Sequence, residues 1–283
     1  MSKLKQWGRV FAGLALGIGI GGHALALDID LGIAASYSAL VFEDVNDLSD
    51  IDGRLAVGGN LSLPTSILGS LLPNLNTLPT LVVRGNVSGF LGGSIWSGSA
   101  KGFGLYQGVK AATILSSLDL RQSNDLPVDF ESERAYLGMM SAQLKDAPAT
   151  GTVTQLLGFM TFKGSNQDVE IFNLTASQVS WPQILVLSNV RSDAHVIVNV
   201  TADSQRKVSF SLGTDIFLGR NQKVLFNFHD AETINFNLVT IRGSVLAVDA
   251  CICLSFGRID GSVVARQWKS SMSVSFKPFL PNH

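Results

Sequence analysis

The sequence predicts a mainly β protein, a β-solenoid (β-helix) with one α-helix packed along it. Short apolar runs broken by Gly, Asn, Asp and Ser fill the chain beyond residue 27, which is typical of many short strands. Residues 241–248 and 259–266 repeat at an offset of 18 residues, with five of eight positions identical. Apolar residues at helical spacing occur in one segment, residues 129–145.

The composition excludes several classes of protein. With 46% hydrophobic residues among 283, the chain is too apolar to be largely disordered. Its 21 basic and 22 acidic residues give a net charge of −1, so no positive field is available to bind a nucleic-acid backbone. Two cysteines are too few for a disulfide-stapled scaffold or a Cys-rich zinc module. We therefore expect no nucleic-acid partner.

Residues 1–26 have the features of a secretory signal peptide. Three basic residues precede an uncharged apolar run, and Ala24 and Ala26 supply the small residues that a signal peptidase requires. The apolar run is shorter than the roughly 20 residues that span a bilayer, although a retained N-terminal anchor is the alternative. We expect a secreted protein, extracellular or at the cell surface, with no transmembrane segment after cleavage and one domain over residues 27–283.

The 18-residue repeat sets the predicted architecture. A short period with strand-like content indicates a solenoid whose coils stack on one another, so Gly243 and Gly261 should lie in adjacent coils about 4.8 Å apart. The alternative is a β-sandwich with two similar edge hairpins. Within the second copy, the residues expected inside are Ile259, Gly261, Val263 and Ala265. Those expected to face solvent are Asp260, Ser262 and Arg266, while Val264 is an exception.

The predicted helix begins after Asp129, a favourable N-cap residue, and has acidic residues in its first turn. Lys145 lies in the last turn, and Pro148 and Gly151 follow the helix. One stripe of the helix is apolar and should pack on the core: Tyr136, Leu137, Met140 and Leu144.

The segment 49–60, Ser-Asp-Ile-Asp-Gly-Arg-Leu-Ala-Val-Gly-Gly-Asn, resembles the opening signature of the choice-of-anchor A proteins, which are exported bacterial proteins. Residues 224–228, 243–247 and 259–265 resemble later blocks of the same domain, so the resemblance runs from about Ala39 to Phe279. It implies an adhesin-like surface domain, laid out like the ice-binding β-helices, without catalytic residues or cofactors. Members of that family usually end in an anchoring tail, and residues 270–283 contain no apolar run.

An acidic segment, residues 43–52, raises the question of a metal site. Calcium prefers oxygen ligands, and its candidate ligands here are Asp44, Asp47, Asp50 and Asp52. The EF-hand register fails, because the sixth position from Asp44 is Ser49 and the twelfth is Leu55. Asp side chains commonly cap turns by accepting hydrogen bonds from nearby backbone, and we favour that role over calcium binding.

The sequence favours a binding protein over an enzyme. It contains no G-x-S-x-G elbow and no H-E-x-x-H motif, and no pair of carboxylates repeats at the coil spacing between residues 196 and 255. We predict a non-enzymatic, adhesin-like solenoid that binds a surface, glycan or matrix component through its outer faces. The alternatives are a self-associating coat or matrix component, an ice-binding protein whose Thr150, Thr152 and Thr154 form one row, and a polysaccharide-acting enzyme.

Cys251 and Cys253 should leave the same side of a strand, since they are two residues apart. A turn at Val248-Asp249, where the choice-of-anchor A family tends to have Pro-Asn, would reset the alternation and turn both side chains outward. The residues then expected inside are Ala250, Ile252, Leu254 and Phe256. Such strand neighbours lie about 6.5–7 Å apart, at the limit of disulfide reach. We therefore favour exposed thiols that link another chain over a buried, inert pair.

Overall fold

The structure, a computed structural model, describes residues 27–74 and 77–282. The predicted signal peptide, residues 1–26, lies outside the described residues. In the part of the chain that is described, no helix is both long and apolar enough to cross a membrane. The described chain winds into a β-solenoid whose coils contribute strands to three faces, which we call the helix face, the open face and the third face.

The helix face is a stack of ten parallel strands within a 15-stranded sheet. In spatial order its strands are β11 (Leu120–Gln122), β10 (Gly104–Tyr106), β6 (Leu81–Val83), β3 (Leu55–Val57), β1 (Ala39–Val41), β23 (Val263–Lys269), β21 (Ser244–Cys253), β18 (Val224–Asn227), β16 (His195–Thr201) and β14 (Val169–Thr175). The outward residues of the eight strands from β6 to β14 in this order pack in one apolar cluster with the helix α1 (Phe130–Asp146), from which the face takes its name.

The open face continues the same sheet around the corner of the solenoid. In spatial order it comprises β7 (Val87–Ser88), β4 (Leu61–Ser62), β2 (Val45–Asn46), the second halves of β23 and β21, β19 (Thr233–Phe236) and β17 (Lys207–Phe210). A register shift between Ala247 and Cys251 marks the point at which β21 turns from one face to the other. Both faces therefore share two strands and one ladder of hydrogen bonds.

The third face consists of three short sheets. One contains β20 (Val239–Ile241), β22 (Gly257–Asp260) and β24 (Ser273–Ser275); another contains β5 (Thr65–Leu68), β8 (Gly92–Ser97) and β9 (Ala100–Lys101). The last contains β12 (Thr152–Leu156), β13 (Phe159–Lys163) and β15 (Ile184–Ser188). Short helices complete the fold: α2 (Ala176–Val179) and the 3-10 helices Gly32–Ser36, Asp215–Phe217 and Asn221–Lys223.

The coils do not stack in chain order. The strands before α1 stack outward from β1, and those after it begin with β14 at the opposite end of the sheet and stack back toward β1. The last coil consequently meets the first, with Ala39 paired to Val263. Two ion pairs reinforce this seam, Arg266 with Glu43 at 2.9 Å and Arg258 with Asp52 at 3.1 Å.

The predicted helix is confirmed. Asp129 caps it by accepting a hydrogen bond from the Ser132 backbone N–H, and Lys145 lies in its last turn. The apolar stripe packs on the outer side of the helix face, where its partners include Leu40, Leu225, Leu246 and Val264. A polar ladder crosses the same interface: the buried Asn227 accepts a hydrogen bond from Ser141 Oγ and donates to Asn199 Oδ1.

The predicted repeat is confirmed, since β21 and β23 pair in parallel with Val245 opposite Val263. Gly261 packs directly on the backbone of Gly243, so the two glycines do lie in adjacent coils. The predicted exposure of Asp260 and Ser262 is wrong, because both are buried. The Asp260 carboxylate pairs with Arg258 of its own strand and with Arg242, which follows the neighbouring strand β20, and it also accepts a hydrogen bond from Ser275.

Candidate functional site

The open face carries a row of polar side chains on its outer side. Its inner side belongs to the core, with Val45, Ile252 and Trp268 fully buried. Because side chains alternate along a strand, the neighbouring residues point outward. One residue from each of seven strands forms this first row: Ser88, Ser62, Asn46, Lys269, Cys253, Asn235 and Ser209. At the usual strand spacing the row is about 29 Å long.

A second row lies beside the first, one pleat away. Parallel register places Gln267 next to Cys251, Cys251 next to Thr233, and Thr233 next to Lys207. Hydroxyl and amide groups of these rows can donate and accept hydrogen bonds, and Lys207 and Lys269 add two positive charges. The open face thus carries an array of polar groups that repeats at the strand spacing, within which Asn235 and Cys251 are themselves buried.

A disulfide joins Cys251 and Cys253 near the centre of this array. The prediction of exposed, unpaired thiols is therefore wrong, and Cys251 is itself buried between adjacent coils. The Cα atoms lie 5.5 Å apart, closer than in a regular strand and well within disulfide range. The local shortening of β21 just after its register shift makes the bond possible, and it removes the thiols that a link to another chain would need.

The predicted change of phase in β21 is partly confirmed. Ala250 and Ile252 point into the core, as expected if the alternation resets near Val248-Asp249. Leu254 and Phe256 do not, since 78% and 52% of their surfaces are exposed. Leu254 has a φ of +48°, a left-handed conformation that ends the strand at a corner and turns the following residues outward.

The four candidate calcium ligands form hydrogen bonds with residues 16 or more positions away in the sequence, instead of capping their own turns as expected. Across the described ranges 27–74 and 77–282, no group of three or more His, Cys, Asp or Glu side chains is arranged to hold a metal ion. The carboxylates accept hydrogen bonds from different segments: Asp44 from Asn60 N at 2.7 Å, Asp47 from Ser271 Oγ at 2.9 Å, Asp50 from Ile67 N at 2.9 Å, and Asp52 from Ser70 Oγ at 3.1 Å. Several of these contacts lie at or near the seam, so the acidic segment helps to hold the first coil.

A groove of about 480 Å³ lies between α1 and the turn at His229. Burial lowers the pKa of His229, which keeps the imidazole neutral near pH 7. Its Nε2 lies 3.4 Å from Thr201 Oγ1, and its Nδ1 lies 3.6 Å from Asp230 Oδ1. Both distances exceed the 2.6–3.2 Å that is typical of a hydrogen bond in a proton relay.

Comparisons with known proteins found a matching family and a similar solved structure. A family described as "Putative Ice-binding-like adhesive domain" matches residues 30–276. Among solved structures, the chain is similar to an ice-binding protein from the Antarctic ascomycete Antarctomyces psychrotrophicus. The two are 14% identical, with a TM-score of 0.37, over 88% of this chain and 98% of the other. No curated protein matches the chain. Because the family model covers most of the sequence, the chain belongs to this family of ice-binding-like adhesive domains.

Proposed function

We propose that the protein is an exported, non-enzymatic, adhesin-like module that binds a glycan or matrix polymer on a surface. The observation that carries the proposal is the pair of polar rows on the open face, repeated across adjacent parallel strands. The family assignment supports an adhesive role, and the resemblance of residues 49–60 to choice-of-anchor A proteins points the same way. Export, with an extracellular or cell-surface location, rests on the signal peptide expected in residues 1–26.

A polymer is the ligand that suits such an array. Each polar side chain contributes little by itself, but a repeating ligand can contact several coils at once, and linked weak contacts add up. The strands that carry the array belong to the hydrogen-bonded sheet that encloses the core. The Cys251–Cys253 disulfide restrains the centre of the array. A rigid surface loses little conformational freedom on binding, which favours affinity without deep pockets.

Glycan and matrix-protein arrays probed with residues 27–283 test the proposal. We expect binding to at least one class of polymer. The substitution Ser62→Glu places a charge within the first row and should lower the affinity at least tenfold. The matched control is Thr65→Glu, which adds the same charge on the third face and should leave binding unchanged. Absence of binding to every polymer, or equal binding by both variants, would contradict an adhesive open face.

Ice binding is a second candidate, favoured by the description of the family. An ice-binding surface needs hydroxyl groups in a regular two-dimensional array, whereas Cys253 and Lys269 interrupt the first row. The predicted threonine row does not supply the array either, because Thr150 Oγ1 donates a hydrogen bond to the buried Glu170 carboxylate. We expect no thermal hysteresis at high micromolar protein, and a clear freezing-point gap would replace adhesion with ice binding as the main function.

A further inference from the structure

Strand β12 is an unprotected sheet edge. It pairs with β13 on one side only, and it is the terminal strand of its three-stranded sheet. Its sequence is Thr-Val-Thr-Gln-Leu, without charge or proline, and its five-residue register with β13 contains no bulge. Soluble proteins usually protect such edges with lysine, proline or a bulge, because an open edge pairs readily with another strand. This edge has none of those protections.

The hairpin tip beside this edge is apolar and exposed. Leu157 has a φ of +50° and Gly158 a φ of +82°, which is the two-residue hairpin turn that usually contains Asn-Gly. A leucine in this conformation is strained, and 90% of its surface is exposed, so local packing does not explain it. The adjacent Leu156, Phe159 and Ile184, which pair across the three strands, are also exposed. Contiguous exposed apolar residues of this kind mark interaction surfaces.

We propose that the protein forms a two-fold dimer in which β12 pairs antiparallel with β12 of a second copy. In a two-residue hairpin the residues that flank the turn are hydrogen-bonded to each other, so Leu156 and Phe159 form a hydrogen-bonded pair. The peptide groups of Val153 and Gln155 then point away from β13. With the two-fold axis at Thr154, Val153 of each copy meets Gln155 of the other, and four backbone hydrogen bonds form.

The strand is complementary to itself, which is why a second copy is the partner. A two-fold interface requires that the same patch match its own rotated image. Thr154 would meet Thr154 on the axis, a favourable cross-strand pair, and Thr152 would meet Leu156 of the other copy. No charged side chain lies in β12, so no like charges meet. The exposed Leu156 and Leu157 of each tip would be partly covered by the start of the facing strand.

This dimer goes beyond surface binding by a single module. Two copies carry two open faces, so a dimer attached to a polymer would bind more tightly than either copy alone. The interface uses one strand from each copy and is small, so we expect a reversible dimer that depends on protein concentration. The assembly is closed by its two-fold axis, which distinguishes it from an open coat or matrix.

Sedimentation velocity and light scattering test the proposal. The protein concentration runs from about 1 to about 200 µM, because weak dimers dissociate in roughly this range. For residues 27–283 the mass should rise from monomer to dimer and stop there. Thr154→Lys sets two ammonium groups against each other on the axis and should weaken the dimer at least tenfold. The control is Thr161→Lys: Thr161 is the residue of β13 paired with Thr154, on the same side of the sheet. Its two lysines would lie roughly 14 Å apart, where salt screens them, so the dimer should persist.

The possible results distinguish the closed dimer from a monomer and from an open assembly, and they test it separately from the adhesive function. A monomer at every concentration, or a dimer that survives Thr154→Lys, would overturn the strand pairing, as would an equal loss in both variants. Growth beyond a dimer would overturn the closed assembly in favour of an open one. Circular dichroism and thermal melting check that both variants fold. Array binding by the Thr154→Lys monomer is a separate measurement, so failure of the dimer leaves the adhesive function standing.

Discussion

Strands β21 and β23 each cross from the helix face to the open face, and the two halves of these strands differ only on the outside. Both halves direct apolar residues into the core. On the helix face their outward residues are Leu246 and Val264, which pack beneath α1. On the open face the corresponding positions are Cys253 and Lys269. The outward-facing side chains of a solenoid strand therefore depend on what covers that side of the sheet. The inward-facing side chains are apolar on both faces because they share one core.

Because only the helix face is covered on its outer side, substitutions on the two faces should affect different properties of the protein. Apolar surface removed from water contributes about 25 cal/mol per Å², so the covered side of the sheet contributes to folding. The outer side of the open face buries little apolar surface, so its residues contribute less to folding. Substitutions on the helix face should change the free energy of unfolding, and those on the open face should change binding with little change in stability.

The largest effect is expected for Leu246→Ala. Leu246 is fully buried between the sheet and α1, so its truncation removes buried methyl groups and leaves a cavity. The cost should be about 2–5 kcal/mol in the free energy of unfolding. Urea denaturation measures it, with Thr233→Ala on the open face as control, for which about 0.5 kcal/mol or less is expected. Similar losses for the two variants would remove the contrast between the faces.

The covered side should also respond to high pH through Tyr37. Only 4% of this residue is exposed, and burial raises the pKa of its hydroxyl to about 12, against a smaller opposing effect of Arg54. The unfolded chain should ionise near pH 10. Stability from this group is complete below pH 10 and declines between pH 10 and about 12, by about 2–3 kcal/mol in total.

Denaturation from pH 9 to 12, together with absorbance at 295 nm, follows that loss. The control variant Tyr37→Phe lacks the ionising hydroxyl, so its stability should fall less steeply over the same interval. If Tyr37 ionised near pH 10 in the folded protein, the packing beneath the helix would be looser than the structure describes.

The sequence predicts much of the fold because several of its signals are local. The helix over residues 130–146 follows from its N-cap and its apolar stripe, and the 18-residue repeat places two neighbouring coils together. The seam is different. Ala39 and Val263 pair although they lie more than 200 residues apart in the sequence. The sequence of neither strand predicts which strand it pairs with. Parallel strands are joined by long connections, so their order depends on packing over the whole chain.

The candidate site was harder to predict for the same reason. The outward residues of the open face come from strands as short as Val45–Asn46 and Leu61–Ser62, and alternation over two residues carries almost no signal. Asn46 and Ser62 become neighbours only when the coils stack. Cys251 and Cys253 were identified in the sequence, but the disulfide depends on a local shortening of β21 that a regular strand does not have.

A polar contact under the helix provides an intermediate test of the comparison. Asn227 is fully buried, donates hydrogen bonds to Ser141 O at 2.9 Å and Asn199 Oδ1 at 2.8 Å, and accepts one from Ser141 Oγ at 2.6 Å. Asn227→Ala leaves these partners without their hydrogen bonds and should cost about 1–3 kcal/mol. Asn46→Ala, on the open face, should cost about 0.5 kcal/mol or less. Equal urea midpoints for the two variants would show that the ladder does not stabilise the helix.

The smallest effect is expected at the disulfide of the open face. Cys251 and Cys253 enclose a loop of only three residues, so breaking the bond restores little freedom to the unfolded chain. Reduction should lower the free energy of unfolding by about 1–2 kcal/mol. Urea midpoints with and without a phosphine reductant measure the loss, and the Cys251→Ser, Cys253→Ser double variant should not respond to reductant. Thiol titration of the unreduced, denatured protein should find no free thiol, and finding two would contradict the bond. A loss larger than that of Leu246→Ala would mean that the disulfide, rather than the covering helix, holds β21 at the corner between the two faces.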